Sequence, residues 1–177
     1  MYIGLVRHFK VNCDKQFLMN SADFEKWVVE YDISDVIKND VKVDHISWNR
    51  CFSSDLPRAI RTSEAIYKGE IVTTALLREV PLCPIFKTKV KLPYFFWCIS
   101  ARVAWHFQHK SQFEIKKDTL ERVDSFISSL DQESDDNIVI VCHGFYMKVL
   151  LKALKKNGFN GKHISSPKNG KLYVYKK

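Results

Sequence analysis

Apolar runs separated by polar punctuation divide the chain into strand-like and helix-like pieces. Residues 2–6 form a short apolar run that reads as an inner parallel strand, because a strand buried on both faces loses the apolar–polar alternation. Residues 9–20 have no clean period and read as a loop. From Asp23, the residues Phe24, Trp27, Val28 and Tyr31 recur at helical spacing with charges between them, and Asn39-Asp40 closes that stretch. Residues 45–52 are a second strand candidate running into Ser53-Ser54. Ser54-Asp55-Leu56-Pro57-Arg58 then reads as a helix start, with Ser54 as N-cap, Asp55 at the positive end of the dipole and Pro57 in the first turn. Gly69 stops that helix, and residues 71–75 are a third strand, left through Leu76-Leu77-Arg78-Glu79.

Residues 80–110 break the rhythm. Pro81, Pro84 and Pro93 interrupt the first half, Lys87, Lys89 and Lys91 alternate with Thr88 and Val90, and the aromatic run at 94–107 is interrupted by Arg102. The run is too short to span a bilayer, so it is expected to pack on the domain as a lid or extra helix, ahead of a membrane-surface helix. Residues 111–130 read as a helix with Phe113, Leu120, Val123, Ile127 and Leu130 on its apolar face, followed by an acidic loop at 131–136. The clearest strand is 137–142, and His143-Gly144 follows at once. A helix over 146–156 ends at Asn157-Gly158, and a closing strand over 171–175 follows the Asn169-Gly170 turn.

Strands alternating with helices predict an α/β fold with a mostly parallel central sheet covered on both faces. In such sheets ligands sit beyond the carboxyl ends of the strands. The candidate strands end in Arg7-His8, Ser53-Ser54 and His143-Gly144. That coincidence predicts one site assembled from distant segments.

Composition narrows the partners. At 177 residues the chain is expected to form a single domain spanning 1–177, with 80–110 as an atypical insertion. The net charge of +8 favours anionic partners. The lysines are scattered and form no nucleic-acid-binding module, so a phosphorylated small molecule ranks above nucleic acid; a phosphoprotein would also fit, and a membrane surface ranks lower. The N-terminus lacks the features of a secretory signal. Cys13, Cys51, Cys83, Cys98 and Cys142 contain no CxxC pair, which predicts reduced thiols and a cytoplasmic setting. His106 and His109 lie one helical turn apart without a carboxylate or cysteine to complete a metal set. Cys142 is not a phosphatase nucleophile of the cysteine type, since Lys148 stands where that chemistry wants an arginine.

The strand ends suggest phosphoryl transfer. A histidine with an ordinary pKa near ~6.5 is largely neutral at neutral pH and offers a lone pair without a strong base. Covalent capture splits one displacement into two easier ones, provided the phosphoryl group is neutralised and held. Arg7 and Arg58 suit that task because guanidinium forks bind phosphate oxygens in pairs. His143 could donate to the same oxygens, Gly144 lets backbone approach closely, and Ser53 could hydrogen-bond the phosphate. Glu79, just past a strand end, is the candidate proton donor for the leaving oxygen.

Leu5-Val6-Arg7-His8, Ser53-Ser54-Asp55-Leu56-x-Arg58-Ala59-x-x-Thr62, Leu77-Arg78-Glu79 and Cys142-His143-Gly144 resemble, in order and spacing, the histidine phosphatase superfamily, whose members are phosphoglycerate mutase-like. The resemblance implies a three-layer α/β/α sandwich, no metal and no cofactor, His8 as nucleophile, Arg7, Arg58 and His143 as phosphate ligands, and Glu79 as proton donor. It implies a phosphomonoesterase, with a mutase or a non-catalytic phosphate-binding or membrane-associated protein as alternatives. Phe9 replaces the glycine usual after Arg-His, a ring expected to narrow the pocket or stack on a substrate. The glycine- and tryptophan-containing run usual after the acidic residue is replaced by residues 81–109, so substrate choice does not carry over.

Overall fold

A computed structural model of the chain describes residues 1–41, 43, 46–130 and 136–177. In order, the elements are β1 (Tyr2–Arg7), β2 (Lys10–Val11), β3 (Leu18–Met19), α1 (Ser21–Ile33), β4 (Val36–Ile37), β5 (Arg50–Ser54), α2 (Pro57–Ile66), β6 (Ile71–Thr74), a 3-10 turn (Ala75–Leu77), β7 (Leu92–Pro93), α3 (Tyr94–His106), α4 (Lys116–Ser129), β8 (Ile138–Cys142), α5 (Gly144–Lys156), β9 (Asn160–Gly161) and β10 (Leu172–Lys176).

The main sheet runs β6-β5-β8-β1-β10-β9. β1, β8, β5 and β6 are parallel, and β10 lies antiparallel to β1. Period-two alternation splits their side chains between two cores. Ile3, Leu5, Ile138 and Ile140 face α4 and α5 through Val123, Phe126, Ile127 and Leu150. Val6, Val139 and Val141 face α2 through Ala59. The result is the three-layer α/β/α arrangement with a mostly parallel sheet.

Register explains the position of the site. Arg7 is level with Cys142, Ser53 with Val141, and Ser54 with Thr74. The neighbouring strands therefore stop together, and Arg7-His8, Ser53-Ser54 and His143-Gly144 emerge along one edge.

A third apolar cluster sits apart from both cores. Met19, Phe24, Trp27 and Trp97 bring together β3, α1 and α3. Trp97 is buried, stacks on Phe24 with ring centroids 5.8 Å apart, and donates its indole N–H to the Met19 carbonyl at 2.8 Å. A reciprocal capping box between Asn20 and Asp23 starts α1. The aromatic segment is thus a helix fixed on α1, and Trp105 ties it to α4 by donating to Thr119 Oγ at 2.8 Å.

Three local expectations are corrected. The N-cap of α2 is Leu56, with Pro57 opening the helix, so Ser54 is not the cap. α4 begins at Lys116 rather than 111, because Gln112 is tied by its side-chain amide to the Cys83 backbone and Asp118 caps the Ile115 N–H. Phe113 is consequently 91% exposed and lies off the apolar face. The loop expected at residues 9–20 contains the short β2 and β3. His45 of the second strand candidate and 131–135 of the acidic loop lie outside the described residues.

Candidate active site

His8 follows directly on β1, and its backbone N–H still pairs with the Cys142 carbonyl at 3.0 Å. Its ring is almost wholly buried, with Nδ1 2.6 Å from the Phe9 carbonyl oxygen. A carbonyl only accepts, so Nδ1 carries the proton and Nε2 keeps a bare lone pair. Burial first, then the Arg58 and Arg7 charges, hold the imidazole down to about 3, against the opposing pull of the Phe9 carbonyl. The nucleophile candidate is therefore neutral across the physiological range.

His143 is the N-cap residue of α5 and is fully buried, its ring centroid 5.0 Å from that of His8. Arg58 Nε donates to its Nδ1 at 3.2 Å. Since an arginine can only donate, the ring proton sits on Nε2, which donates to Ser54 Oγ at 2.8 Å. Burial, His8 and the nearby arginines keep this imidazole neutral, well below the usual histidine range. Both of its nitrogens are engaged, so a direct bond to phosphate requires Nε2–H to leave Ser54.

The cations meet at the same place. Arg58 is buried to 2% exposure, and its Nη1 pairs with Asp32 of α1 at 2.7 Å. Arg7 donates Nη1 to the Pro167 carbonyl at 3.0 Å, while its Nε is buried without a partner among the described residues. A Cβ on Gly144 would stand 2.9 Å from that Nε, so only glycine at 144 leaves the guanidinium in place. Arg78 is neutralised by a bidentate pair with Asp55, both bonds 2.6 Å.

Glu79 occupies the mouth of α5. Its carboxylate accepts from the Phe145 N–H at 3.0 Å, the Tyr146 N–H at 2.9 Å and the Val80 N–H at 2.9 Å. Free amides and the positive end of the helix dipole place an anion here for the same reason that such ends hold phosphate. Arg7, Arg58, Arg78 and Glu79 line one cavity of about 350 Å³, walled by Trp27 and Tyr31 of α1 and by Tyr94 and Arg102 of α3.

The structure thus brings together Arg7, His8, Arg58, Glu79, His143 and Gly144, and corrects two other readings. Ser53 does not reach the cavity: it is fully buried and donates to the Ser54 carbonyl at 2.9 Å, while the next residue turns its hydroxyl to His143. Phe9 neither narrows nor stacks in the cavity. Its ring is buried against Gly170, whose added Cβ would come within 2.9 Å of it, and its N–H donates to Thr62 Oγ at 2.9 Å. Sequence reasoning missed Asp32, Ser54 as a histidine partner, and Arg102. The last carried one signal, as the lone charge in an aromatic run. Its guanidinium lies 4.1 Å from the Phe145 ring centroid and has one hydrogen bond, to the Pro81 carbonyl at 3.2 Å. Burial destabilises its charge, and Glu79 is the strongest opposing influence. Among the described residues no cluster of His, Cys, Asp or Glu is arranged to hold a metal ion.

The carboxyl ends of the parallel strands thus converge on a buried histidine pair. The family model of the histidine phosphatase superfamily, branch 1, matches residues 35–176, which include Arg58, Glu79 and His143. The chain belongs to that superfamily. No curated protein matches it. Among solved structures it is similar to the alpha-ribazole phosphatase from Shigella flexneri, with 16% identity, 98% of this chain and 89% of that chain covered, and a TM-score of 0.59. It is also similar to a phosphoglycerate mutase from Bacillus anthracis, with 17% identity, 88% and 80% covered, and a TM-score of 0.53. These likenesses are of fold.

Two outcomes follow from the electrostatics. Unfolded histidines take up protons near pH 6.5 that folded His8 refuses until about pH 3, so stability should fall as pH falls through that window. Denaturant titrations should show a slope of about 1.4 kcal/mol per pH unit for each such histidine, and His8→Asn should remove its share. Asp32→Asn should free Arg58 and lower the inhibition constant of inorganic phosphate about fivefold, measured by isothermal calorimetry or competition.

Proposed function

We propose that the protein is a phosphomonoesterase working through a covalent phosphohistidine on His8. The observation that carries this reading is the tautomer: Nδ1–H is committed to the Phe9 carbonyl, leaving the Nε2 lone pair beside Arg58 and His143. The ester arrives as its monoanion and passes its proton to the Glu79 carboxylate; the Nε2 lone pair then attacks phosphorus while the ester P–O bond breaks, and Glu79 hands that proton to the departing oxygen. Water then attacks the phosphorus, Glu79 takes its proton, and the P–N bond breaks to release inorganic phosphate. Arg58 and the unpartnered Arg7 Nε compensate the charge on the equatorial oxygens. His143 orients Arg58, and its Nε2–H turns to the phosphoryl group on leaving Ser54. The amides at the mouth of α5 hold Glu79 on the side from which the leaving group departs.

The substrate class is a small phosphate ester. The alpha-ribazole phosphatase and a mycobacterial glucosyl-3-phosphoglycerate phosphatase of TM-score 0.50 share the fold and support a phosphatase reading. The free state of all five cysteines suits a reducing, cytoplasmic setting.

Enzyme treated with chelator should release inorganic phosphate from p-nitrophenyl phosphate, and His8→Ala should lower kcat by at least about a thousandfold. Retained turnover in His8→Ala removes His8 from the mechanism, and isomerisation of phosphoglycerate without phosphate release would indicate a mutase. Arg102, in the cavity wall and without a carboxylate hydrogen-bonded to it among the described residues, should favour esters carrying a second anion. Arg102→Met should cost a carboxyphenyl phosphate roughly tenfold to a hundredfold in kcat/KM, with phenyl phosphate little changed.

A further inference from the structure

α3 has two faces, and only one is accounted for. Trp97, Ala101, Ala104 and Trp105 are buried, and Tyr94 and Arg102 wall the cavity. The opposite side carries Phe95, Ile99, Val103 and Phe107, spaced four residues apart and exposed by 53%, 61%, 50% and 76%. This apolar ridge runs for about 18 Å along the helix. Phe17, itself 69% exposed, extends it past the helix start, its ring centroid 6.4 Å from that of Phe95. Ile85 forms the far wall of an apolar groove of about 550 Å³ that follows the ridge and holds none of the catalytic candidates. A helix apolar on all sides is normally buried, and soluble monomers rarely leave such a contiguous patch open.

Charge indicates what covers it. Between Glu79 and Glu114 there is no Asp or Glu, and the charged residues are Lys87, Lys89, Lys91, Arg102 and Lys110. The three alternating lysines are exposed and interleaved with exposed Val90, beside exposed Phe86. A second copy of this chain is a poor occupant, because a two-fold contact sets the same patch against itself and would face these lysines with their own kind. An anionic lipid surface satisfies both features: aromatic and aliphatic side chains enter the interface while the lysines meet the headgroups.

We propose that the outer face of α3, with the 86–91 segment, docks the protein onto an anionic bilayer, leaving the catalytic cavity on the inner side of the same helix. Among the described residues no helix is long and apolar enough to cross a membrane, so the contact is peripheral.

The full chain should co-sediment with vesicles of phosphatidylcholine mixed with phosphatidylglycerol and remain in solution with phosphatidylcholine alone. Ile99→Glu with Phe107→Glu should abolish sedimentation without moving the thermal midpoint, since both side chains point away from the core. Replacing Lys87, Lys89 and Lys91 by Gln should weaken binding by about fivefold per lysine, and added salt should do the same. The proposal is overturned if phosphatidylglycerol vesicles fail to retain the protein, or if they retain the double variant equally well. It is also overturned if sedimentation velocity shows a wild-type dimer that the double variant splits, which would assign the face to a second copy.

Discussion

A lone pair kept bare inside a nest of positive charge is the constraint around which the molecule is arranged. The Arg58 and Arg7 charges, which the proposed mechanism sets against a phosphoryl group, also make protonation of His8 costly. The Phe9 carbonyl then decides which nitrogen remains basic. Neutrality, tautomer and charge compensation therefore come from a single arrangement rather than from separate devices. His143 repeats the logic one layer lower: Arg58 on one nitrogen forces the proton to the other, where Ser54 receives it.

At rest the cavity is balanced internally. Asp32 partners Arg58, Asp55 partners Arg78, and the α5 amides hold Glu79. Asp32 is nearly half exposed and already paired with Arg58, so in the proposed mechanism an arriving phosphate competes with it. In that mechanism, prior pairing works against stray anions and in favour of ligands that reach both guanidinium groups. Arg102 stands outside this balance, stacked on Phe145, whose own N–H holds Glu79.

The sequence made the frame readable where one physical cause dominated. The apolar runs of β1 and β8 marked inner strands, and polar residues at their ends marked the site edge. Arg7, His8, Arg58, Glu79 and His143 could be placed because strand ends and helix starts are local signals. What failed required knowledge of facing. Ser53 and Ser54 differ by one step, and a one-residue shift in a strand turns a side chain to the opposite face. The direction of Phe9 is set by Gly170, far away in the chain, and the start of α4 by the Gln112 contact with Cys83. Asp32 becomes visible only when α1 and α3 are seen to lean over the same cavity, a tertiary fact that no local pattern encodes, and the lone charge of Arg102 in its aromatic run acquires a place by the same fact.

The stitching of the chain around β1 has a consequence for the order of assembly. β1, which leads into His8, is made before both of its sheet neighbours, β8 and β10, which lie far later in the sequence. Asn169 grips the His8 carbonyl at 2.7 Å, and the Gly170 N–H binds the Arg7 carbonyl at 2.9 Å. A nascent chain must therefore carry apolar β1 unpaired until β8 and β10 have been made, a hazard for association with other chains. By the same token, the backbone on either side of His8 is held in place only once Asn169 and Gly170 have been made.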